Sequence, residues 1–484
     1  MVGAGTGDPG FRGVPVAKGL VVVEESVLQR VLAAALRSGG EFAEVYVEDR
    51  RNSGARLDDG RIEEFTAGRE RGAGIRVVSG SSTGYAHTSD LSERALTEAA
   101  RAAGAAARGG EGRTTVVALQ ARPGTPTHAI RELPETVEKL RKAEVLRRAD
   151  DAARSAGGAI RQVSAAYADA RKRVLIANSD GLLVEDDRVR TRFMVSCTAL
   201  GDGGLQTGYE GPGRTVGFEL FDEFDPEEVA RTAAGRALRM LDARPAPVGK
   251  LPVVLRQGAG GVLFHEACGH GLEADLVSRD ASVFRDRIGT QVASPLVTLV
   301  DDGTFDRGWG TLSVDDEGHP AKHNTLIEGG MLNDYMWDLL RARKEGRESS
   351  GNGRRETYQS LPMVRMTNTY LLAGNDDPED IIASTPYGLY CAALGGGQVN
   401  TATGDFVFGV TEAYLIENGR LTAPIRAANL IGNGPETLLA IDAVGRDFDT
   451  WAGTCGKDGQ GVPVSAGQPT IRVAEMTVGG TAGA

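Results

Sequence analysis

The chain has 484 residues and a formal net charge of −12. Its length predicts two domains, because a chain of this size is too long to fold around one ordinary hydrophobic core. The acidic balance argues against nucleic acid and anionic membranes as partners, and no apolar run is long enough to span a bilayer. Four scattered cysteines do not form a disulfide framework and no signal peptide is recognisable, so we expect a cytoplasmic protein.

The N-terminal half predicts an α/β domain over residues 19–243, after a Gly- and Pro-rich tail at 1–18 that we expect to be mobile. Ser26 is the predicted N-cap of the first helix, and Pro134 is the predicted start of a long charged helix. The predicted helices are 26–37, about 91–107 and 134–156, and the predicted strands are 42–48, 61–66, 72–78, 160–168, 173–177 and 190–200. In both blocks a helix precedes a strand meander, which suggests an internal duplication of one helix–meander unit.

The boundary between the two domains is predicted at a Pro-rich linker, residues 244–250. The last helix before it begins with Asp225 as N-cap and Pro226 at the first helical position. Residues 251–484 predict a β-rich domain that carries the chemistry. The overall class is therefore α+β.

Two local features of the second domain are predicted from composition. A hairpin over 405–426 is expected to turn at Asn418-Gly419, a dipeptide typical of tight hairpin turns. The segment 343–357 is charged and rich in Gly and Ser, which predicts a mobile loop.

His265, Glu266 and His270 form the most informative motif, H-E-x-x-x-H, which holds two of the six histidines. Neutral imidazoles are the commonest metal ligands, and hydrolytic metal sites keep a glutamate beside the first of them as general base. Each helical residue turns about 100°, so His270 lies about 140° from His265 on a regular α-helix and cannot share its metal ion. The spacing predicts either a local π-turn or a helix that ends near Gly269. Two buried core histidines are the structural alternative.

A metal site of this kind needs a third protein ligand. Cys268 lies inside the motif. Cys455 lies in a polar, glycine-rich segment, 453–460, where a thiol is a poor core residue and a good ligand. Cys197 and Cys391 lie in apolar stretches typical of strand cores. The residues alone leave Cys268 and Cys455 as rival ligands.

Three further motifs give weaker signals. Gly5–Gly10 spells G-x-G-x-x-G, but no strand precedes it and Pro9 obstructs a helix start, so we do not expect dinucleotide binding. His319 and His323 have i,i+4 spacing, but the proline after the first favours a loop with a solvated pair. Gly395–Asn400 has two interpretations of equal weight, a cleft wall of bare backbone and a tight turn between strands.

Three segments resemble the TldD/PmbA family of metallopeptidases, and most closely its catalytic, TldD-type subunit: HEACGHGLEAD at 265–275, STPYGLYCAALGGGQVNTATGDFVFGV at 384–410 and CGKDGQGVPVSAGQPT at 455–470. The resemblance runs from about residue 20 to the C-terminus. It implies a β-rich C-terminal domain in which His265, His270 and Cys455 hold the metal and Glu266 acts as base. The PmbA-type subunit lacks these ligands, so their presence implies an active chain.

The motif and the resemblance together predict a zinc-dependent peptidase, with one zinc ion per chain, that works through a metal-activated water and the Glu266 base. The resemblance implies that its substrates are extended, unfolded or modified peptides. Strand addition, in which main-chain hydrogen bonds hold the peptide, would explain binding with little side-chain selectivity. The resemblance implies a dimer with a PmbA-like partner subunit or with a second copy of the chain. An amide-cleaving tailoring hydrolase for a small peptide-like metabolite is the enzymatic alternative, and a metal-stabilised partner subunit is the non-enzymatic one.

Overall fold

The computed structural model describes residues 23–107, 118–124, 129–259 and 261–480. The helices of the first half are α1 Glu25–Leu36, α2 Glu93–Ala106, α3 Lys139–Ser155, α4 Leu220–Glu223 and α5 Pro226–Met240. The strands of the first half are β1 Phe42–Asp58, β2 Arg61–Ser79, β3 Ser82–Thr88, β4 Gln120–Pro123, β5 Ile160–Asn178, β6 Leu182–Gly201, β7 Gly204–Glu210 and β8 Gly213–Arg214. The predicted tail, 1–18, and the Gly5–Gly10 motif lie outside the described residues.

The first-half strands form one sheet in the order β3-β2-β1-β5-β6-β4, and β7 and β8 also pair with β6. Helices α1 and α2 pack on one end of the sheet and α3 and α5 on the other, each pair over its own apolar core. Gly84 on β3 and Gly208 on β7 lie so close to the backbones of α2 and α5 that a side chain at either position would collide with the helix. The shared element order and the shared close contact support the predicted duplication.

Two predicted helix starts are wrong. Helix α1 begins at Glu25 without a side-chain cap, so Ser26 lies inside the first turn. Pro134 opens only a short 3-10 turn, because Val137 after it is extended, and α3 begins at Lys139. Proline favours the first turn of a helix through its fixed φ, but it does not make the following residues continue the helix.

The helices of the second half are α6 Gly261–Phe264, α7 Ala274–Val277, α8 Leu339–Lys344, α9 Pro378–Ala383 and α10 Gly434–Leu439. Its strands are β9 Arg244–Pro245, β10 Gly249–Leu255, β11 Leu299–Asp302, β12 His323–Glu328, β13 Met331–Leu332, β14 Gly353–Arg354, β15 Met363–Val364, β16 Asn368–Leu371, β17 Tyr387–Val399, β18 Asp405–Glu417, β19 Arg420–Arg426, β20 Ala428–Asn433, β21 Ile441–Val444, β22 Asp449–Lys457, β23 Gln460–Gln468 and β24 Ile471–Gly480. The predicted α+β class is confirmed. Among the helices described here, none has the length and apolar character needed to cross a membrane.

Two larger sheets organise the second half. One has the order β17-β10-β24-β20-β18-β19-β9, and because β17 also pairs with β18, five of its strands close into a ring. The other has the order β13-β12-β11-β16-β23-β22. The largest apolar core of the described chain includes residues of both sheets and Leu263 and Phe264 of α6. Within the predicted linker, 244–250, β9 pairs with β19, so this segment takes part in the first of these sheets. The domain boundary itself stays a prediction.

Two local features predicted from the sequence are confirmed, and a third prediction fails for part of its segment. Asp225 caps α5 by accepting a hydrogen bond from the backbone N–H of Glu227. Asn418-Gly419 turns the hairpin between β18 and β19, and both residues have positive φ. The segment 343–357, predicted to be a mobile loop, is solvated only in part: residues 343–348 are exposed, whereas residues 349–355, including Arg354, are buried.

Buried charged side chains join the two halves of the molecule. Glu44 on β1 pairs with Arg76 on β2 at 2.8 Å and with Arg355 from the second half. Arg76 also pairs with Glu317 at 2.7 Å. All four side chains are at most 1% exposed. Because removing one member of such a group leaves an uncompensated buried charge, the group strongly favours one arrangement of the two halves.

Candidate metal centre and its cleft

The H-E-x-x-x-H motif forms a single π-helical turn. Helix α6 leads into a π-helix over His265–Gly269, and a 3-10 turn, His270–Leu272, follows. The backbone N–H of His270 donates to the carbonyl of His265, an i to i+5 bond that places the two side chains on one face. Their ring centroids lie 5.0 Å apart. Of the two local structures that the spacing allows, the chain adopts the widened turn.

Cys455 on β22 completes a group of three donors. Its Sγ lies 3.4 Å from Nε2 of His270, and one donor atom each of His265, His270 and Cys455 lies within 4.8 Å of the others. Cys268 is instead fully buried, and its thiol donates to the carbonyl of Phe264 at 2.9 Å. The geometry therefore favours Cys455 over Cys268 as the third donor.

His319 and His323 do not join this group. The Nδ1 of His323 lies 3.0 Å from a carboxylate oxygen of Asp302, and the backbone N–H of His319 donates to Asp315. Cys197 and Cys391 are buried in strands β6 and β17, as the sequence predicts. Within the described ranges, His265, His270 and Cys455 are the one group of side chains placed to hold a metal ion.

The charges around the three donors perturb each other strongly. Burial alone would raise the pKa of the Cys455 thiol, but the positive charge and hydrogen bonds of His265 and His270 lower it to about 4. Burial alone would lower the pKa of His270, but the carboxylate of Glu273 and the Cys455 sulfur raise it well above its usual value. Both shifts favour a thiolate at Cys455 and a protonated ring at His270.

Glu266 lies at the edge of this group and faces open space. Its Oε2 is 3.8 Å from Nε2 of His270, and its side chain is 25% exposed. It lines a cavity of about 550 Å³ together with His265 and Cys455. A carboxylate in this position can contact both the donor group and a molecule in the cavity.

Two residues of the site, Glu273 and Lys457, were not predicted from the sequence. The Oε2 of Glu273 lies 3.0 Å from Nδ1 of His270, which leaves Nε2 directed at Cys455. Lys457 donates to Glu273 at 2.9 Å and to Asp275 at 2.7 Å. The signal for both was local: Glu273 follows His270 by three residues, and Lys457 shares a strand face with Cys455.

The donor set fits a divalent metal ion. A carboxylate on the outer nitrogen of a ligating histidine is the usual way to orient its ring, and Glu273 has that place at His270. The Nδ1 of the other histidine, His265, is buried and has no hydrogen-bond partner among the residues that the structure describes. Two imidazoles and a thiolate are a donor set that zinc accepts, with a fourth position for water.

The cavity lies between the two halves. Residues Thr207–Gly211 of the first half form one wall, strand β22 forms a second, and Ala392–Gly397 of β17 form a third. Strand β10 pairs with β17 only as far as Cys391, so the β17 edge beyond it has no strand partner among the described residues. Gly395–Gly397 lie within β17 and line this cavity, which favours a cleft wall over a tight turn.

Three family models match the chain. They are described as PmbA/TldA metallopeptidase domain 1 at residues 43–107, central domain at 132–241 and C-terminal domain at 248–480. The chain is 41% identical over 452 residues to a protein of Haemophilus influenzae named Metalloprotease TldD homolog, covering 91% of this chain and 93% of the relative. It is 36% identical to a Metalloprotease of Methanothermobacter thermautotrophicus, covering 91% and 96%. The chain is a metallopeptidase.

A solved structure extends the likeness to the fold. TldE from Thermococcus kodakarensis superposes with a TM-score of 0.76 at 20% identity, covering 94% of this chain and 100% of that chain. At this identity the likeness shows the fold alone. With the family models and the relatives, it identifies the chain as a member of the TldD/PmbA family.

The lowered pKa of Cys455 predicts selective alkylation of the metal-free protein. At pH 6, iodoacetamide should modify Cys455 and spare Cys268, because the thiolate is the nucleophile and burial raises the pKa of the Cys268 thiol. Peptide mapping by mass spectrometry measures this, and added zinc should protect Cys455.

In metal analysis, Cys455→Ala should lose the ion and Cys268→Ala should keep it. The reverse pattern would assign the third ligand to Cys268.

The carboxylate behind His270 predicts weaker metal binding in Glu273→Gln. The amide keeps the side-chain shape but loses the charge that holds Nδ1, so affinity should fall about 10–100-fold. Competition with a chromophoric chelator measures the change. Asp275→Asn is the matched control, because Asp275 contacts Lys457 in the same way, and a smaller effect is expected there. Equal losses in both variants would mean that Glu273 acts only through Lys457.

Proposed function

We propose that this chain is a zinc-dependent peptidase that hydrolyses peptide bonds in extended, unfolded or modified peptides. The observation that carries the proposal is the convergence of His265, His270 and Cys455 beside Glu266, at a cavity between the two halves. A purely structural metal site has no use for a base, and Glu266 is open to the cavity. This arrangement favours a catalytic site.

Each group at the site has its own role in the proposed hydrolysis. Zinc, when bound, supplies a water of lowered pKa and polarises the scissile carbonyl. Glu266 accepts the proton of the attacking water and passes it to the leaving amine. Glu273 fixes the ring of His270, and Arg365 donates to the carbonyl of Cys455 and so holds the ligand strand.

The cavity walls suit an extended peptide. The edge of β17 beyond Cys391 offers main-chain donors and acceptors along Ala392–Gly397, and three glycines in this stretch leave the backbone uncovered. A peptide added there as a strand is bound through its backbone, which requires that it be unfolded. Strands in folded proteins are mostly paired on both sides or protected at the sheet edge, so folded proteins should be spared.

The role of Glu266 predicts loss of hydrolysis with retained metal. Glu266→Gln keeps the shape and loses the basicity, so turnover of an unfolded peptide should fall about 10²–10⁴-fold at full zinc content. Mass spectrometry of the digest and metal analysis of the same sample measure both quantities. Glu417→Gln, on the exposed hairpin turn, is the matched control and should match the wild type. Near-normal turnover of the Glu266→Gln variant would remove this role, whereas wild-type cleavage confined to very short amides would favour the tailoring hydrolase.

We further propose that the chain acts as a dimer in the cytoplasm, with a PmbA-like subunit or with a second copy of itself. The likeness to TldE from Thermococcus kodakarensis supports a partner of the same fold. The cleft of the single chain is open, since Tyr209 and Trp451 in its walls are 41% and 42% exposed. A partner over this cleft would restrict entry to extended chains. The four unpaired thiols suit a reducing compartment.

If a partner subunit covers the cleft, the selectivity for unfolded substrates should depend on dimer formation. Light scattering of the purified chain, alone and with a candidate PmbA-like subunit, should show a dimer. The dimer should digest an unfolded protein and spare its folded form. An active monomer that cleaves both forms equally would refute enclosure.

A further inference from the structure

Two aromatic side chains remain exposed inside the cleft. Trp451 on β22 is 42% exposed and Tyr209 on β7 is 41% exposed, and both line the cavity that contains Glu266. Trp337, by contrast, is only 7% exposed. Large apolar groups left open in a concave site mark a surface that a ligand covers.

Trp451 lies on the same strand as Cys455 and on the same face, because the two are four residues apart. Gly453 lies between them. A side chain at Gly453 would collide with the indole ring, so the ring leans along the strand toward Cys455. Two strand residues span about 6.6 Å, which places the ring roughly one strand repeat from the metal ligand.

Tyr209 reaches the same place from the first half of the chain. Its ring lies over Gly211, where a side chain would collide with it. One nitrogen of Arg192 donates to the Tyr209 hydroxyl at 3.2 Å and to the carbonyl of Ala452 at 3.1 Å. Ala452 directly follows Trp451, so this guanidinium ties the two aromatic residues to one part of the cleft.

We propose that Trp451 and Tyr209 form an apolar subsite for a large apolar or aromatic side chain of the bound peptide, one or two residues from the scissile bond. The inference rests on the proposed peptidase function and adds a side-chain preference to backbone binding. Aromatic rings contribute large buried area and favourable ring–ring geometry to such a contact. The glycine-rich wall of β17, Gly395–Gly397, leaves room for a bulky group opposite.

A pair of unfolded peptides, identical except for Phe or Ala beside the scissile bond, tests the preference. The wild type should cleave the Phe peptide with the higher kcat/KM. Trp451→Ala should reduce this Phe-to-Ala ratio about 10-fold, chiefly through KM, and Trp451→Phe should restore most of it. Phe65→Ala, an exposed aromatic of β2 outside the cavity, should leave the ratio unchanged. An unaltered ratio in Trp451→Ala would overturn the subsite.

A binding measurement distinguishes a failure of the subsite from a failure of the proposed peptidase function. In the Glu266→Gln background, the Phe peptide should change the tryptophan fluorescence, and Trp451→Phe should remove most of that change. If the wild type hydrolyses no peptide, the proposed function fails, and the fluorescence titration still tests the subsite. If Trp451→Ala instead dissociates the dimer and slows both peptides equally, Trp451 is an assembly contact and the subsite is overturned.

Discussion

The candidate metal site depends on the close packing of one short helix against one hairpin. His265 and His270 come from the π-turn after α6, whereas Cys455 comes from β22, so a small separation of the two would disperse the donors. Gly261 lies directly on the β23 backbone, where any side chain would collide with it. Lys457 reaches back from the hairpin to Glu273, and this ion pair links the two elements a second time. The contact is therefore both steric and electrostatic.

The first half of the chain contributes to this packing at a distance. Its buried carboxylate Glu44 pairs with Arg355, and the neighbouring Arg354 donates to the carbonyls of Met366 and Pro463. Arg365, from the same region, donates to the carbonyl of Cys455. These interior guanidinium groups connect the first sheet to the strand that carries the third donor. A charge removed from the group would leave others buried without compensation, so its members depend on one another.

The sequence predicted what depends on local spacing. The i,i+5 separation of the histidines allowed only two backbone forms, and the widened turn is one of them. The choice between Cys268 and Cys455 was not readable from the residues, because it depends on which strand packs against the turn. Residues 349–355 of the segment 343–357 were misassigned for a related reason: composition does not distinguish arginines that face water from arginines buried against distant carboxylates. The position of Lys457 two residues after Cys455 was readable from the sequence, but its ion-pair partners, Glu273 and Asp275, were not, because they are far away in the chain.

The charges of the site explain why it is suited to a divalent ion. Glu266, Glu273, Asp275 and the Cys455 thiol, whose pKa is lowered to about 4, place acidic groups around the two histidines, and Lys457 contacts Glu273 and Asp275. This excess of acidic groups favours a cation among the donors. Metal binding must then release a proton, and affinity must rise with pH through the raised pKa of His270. Lys457 offsets part of this acidic excess through its ion pairs with Glu273 and Asp275.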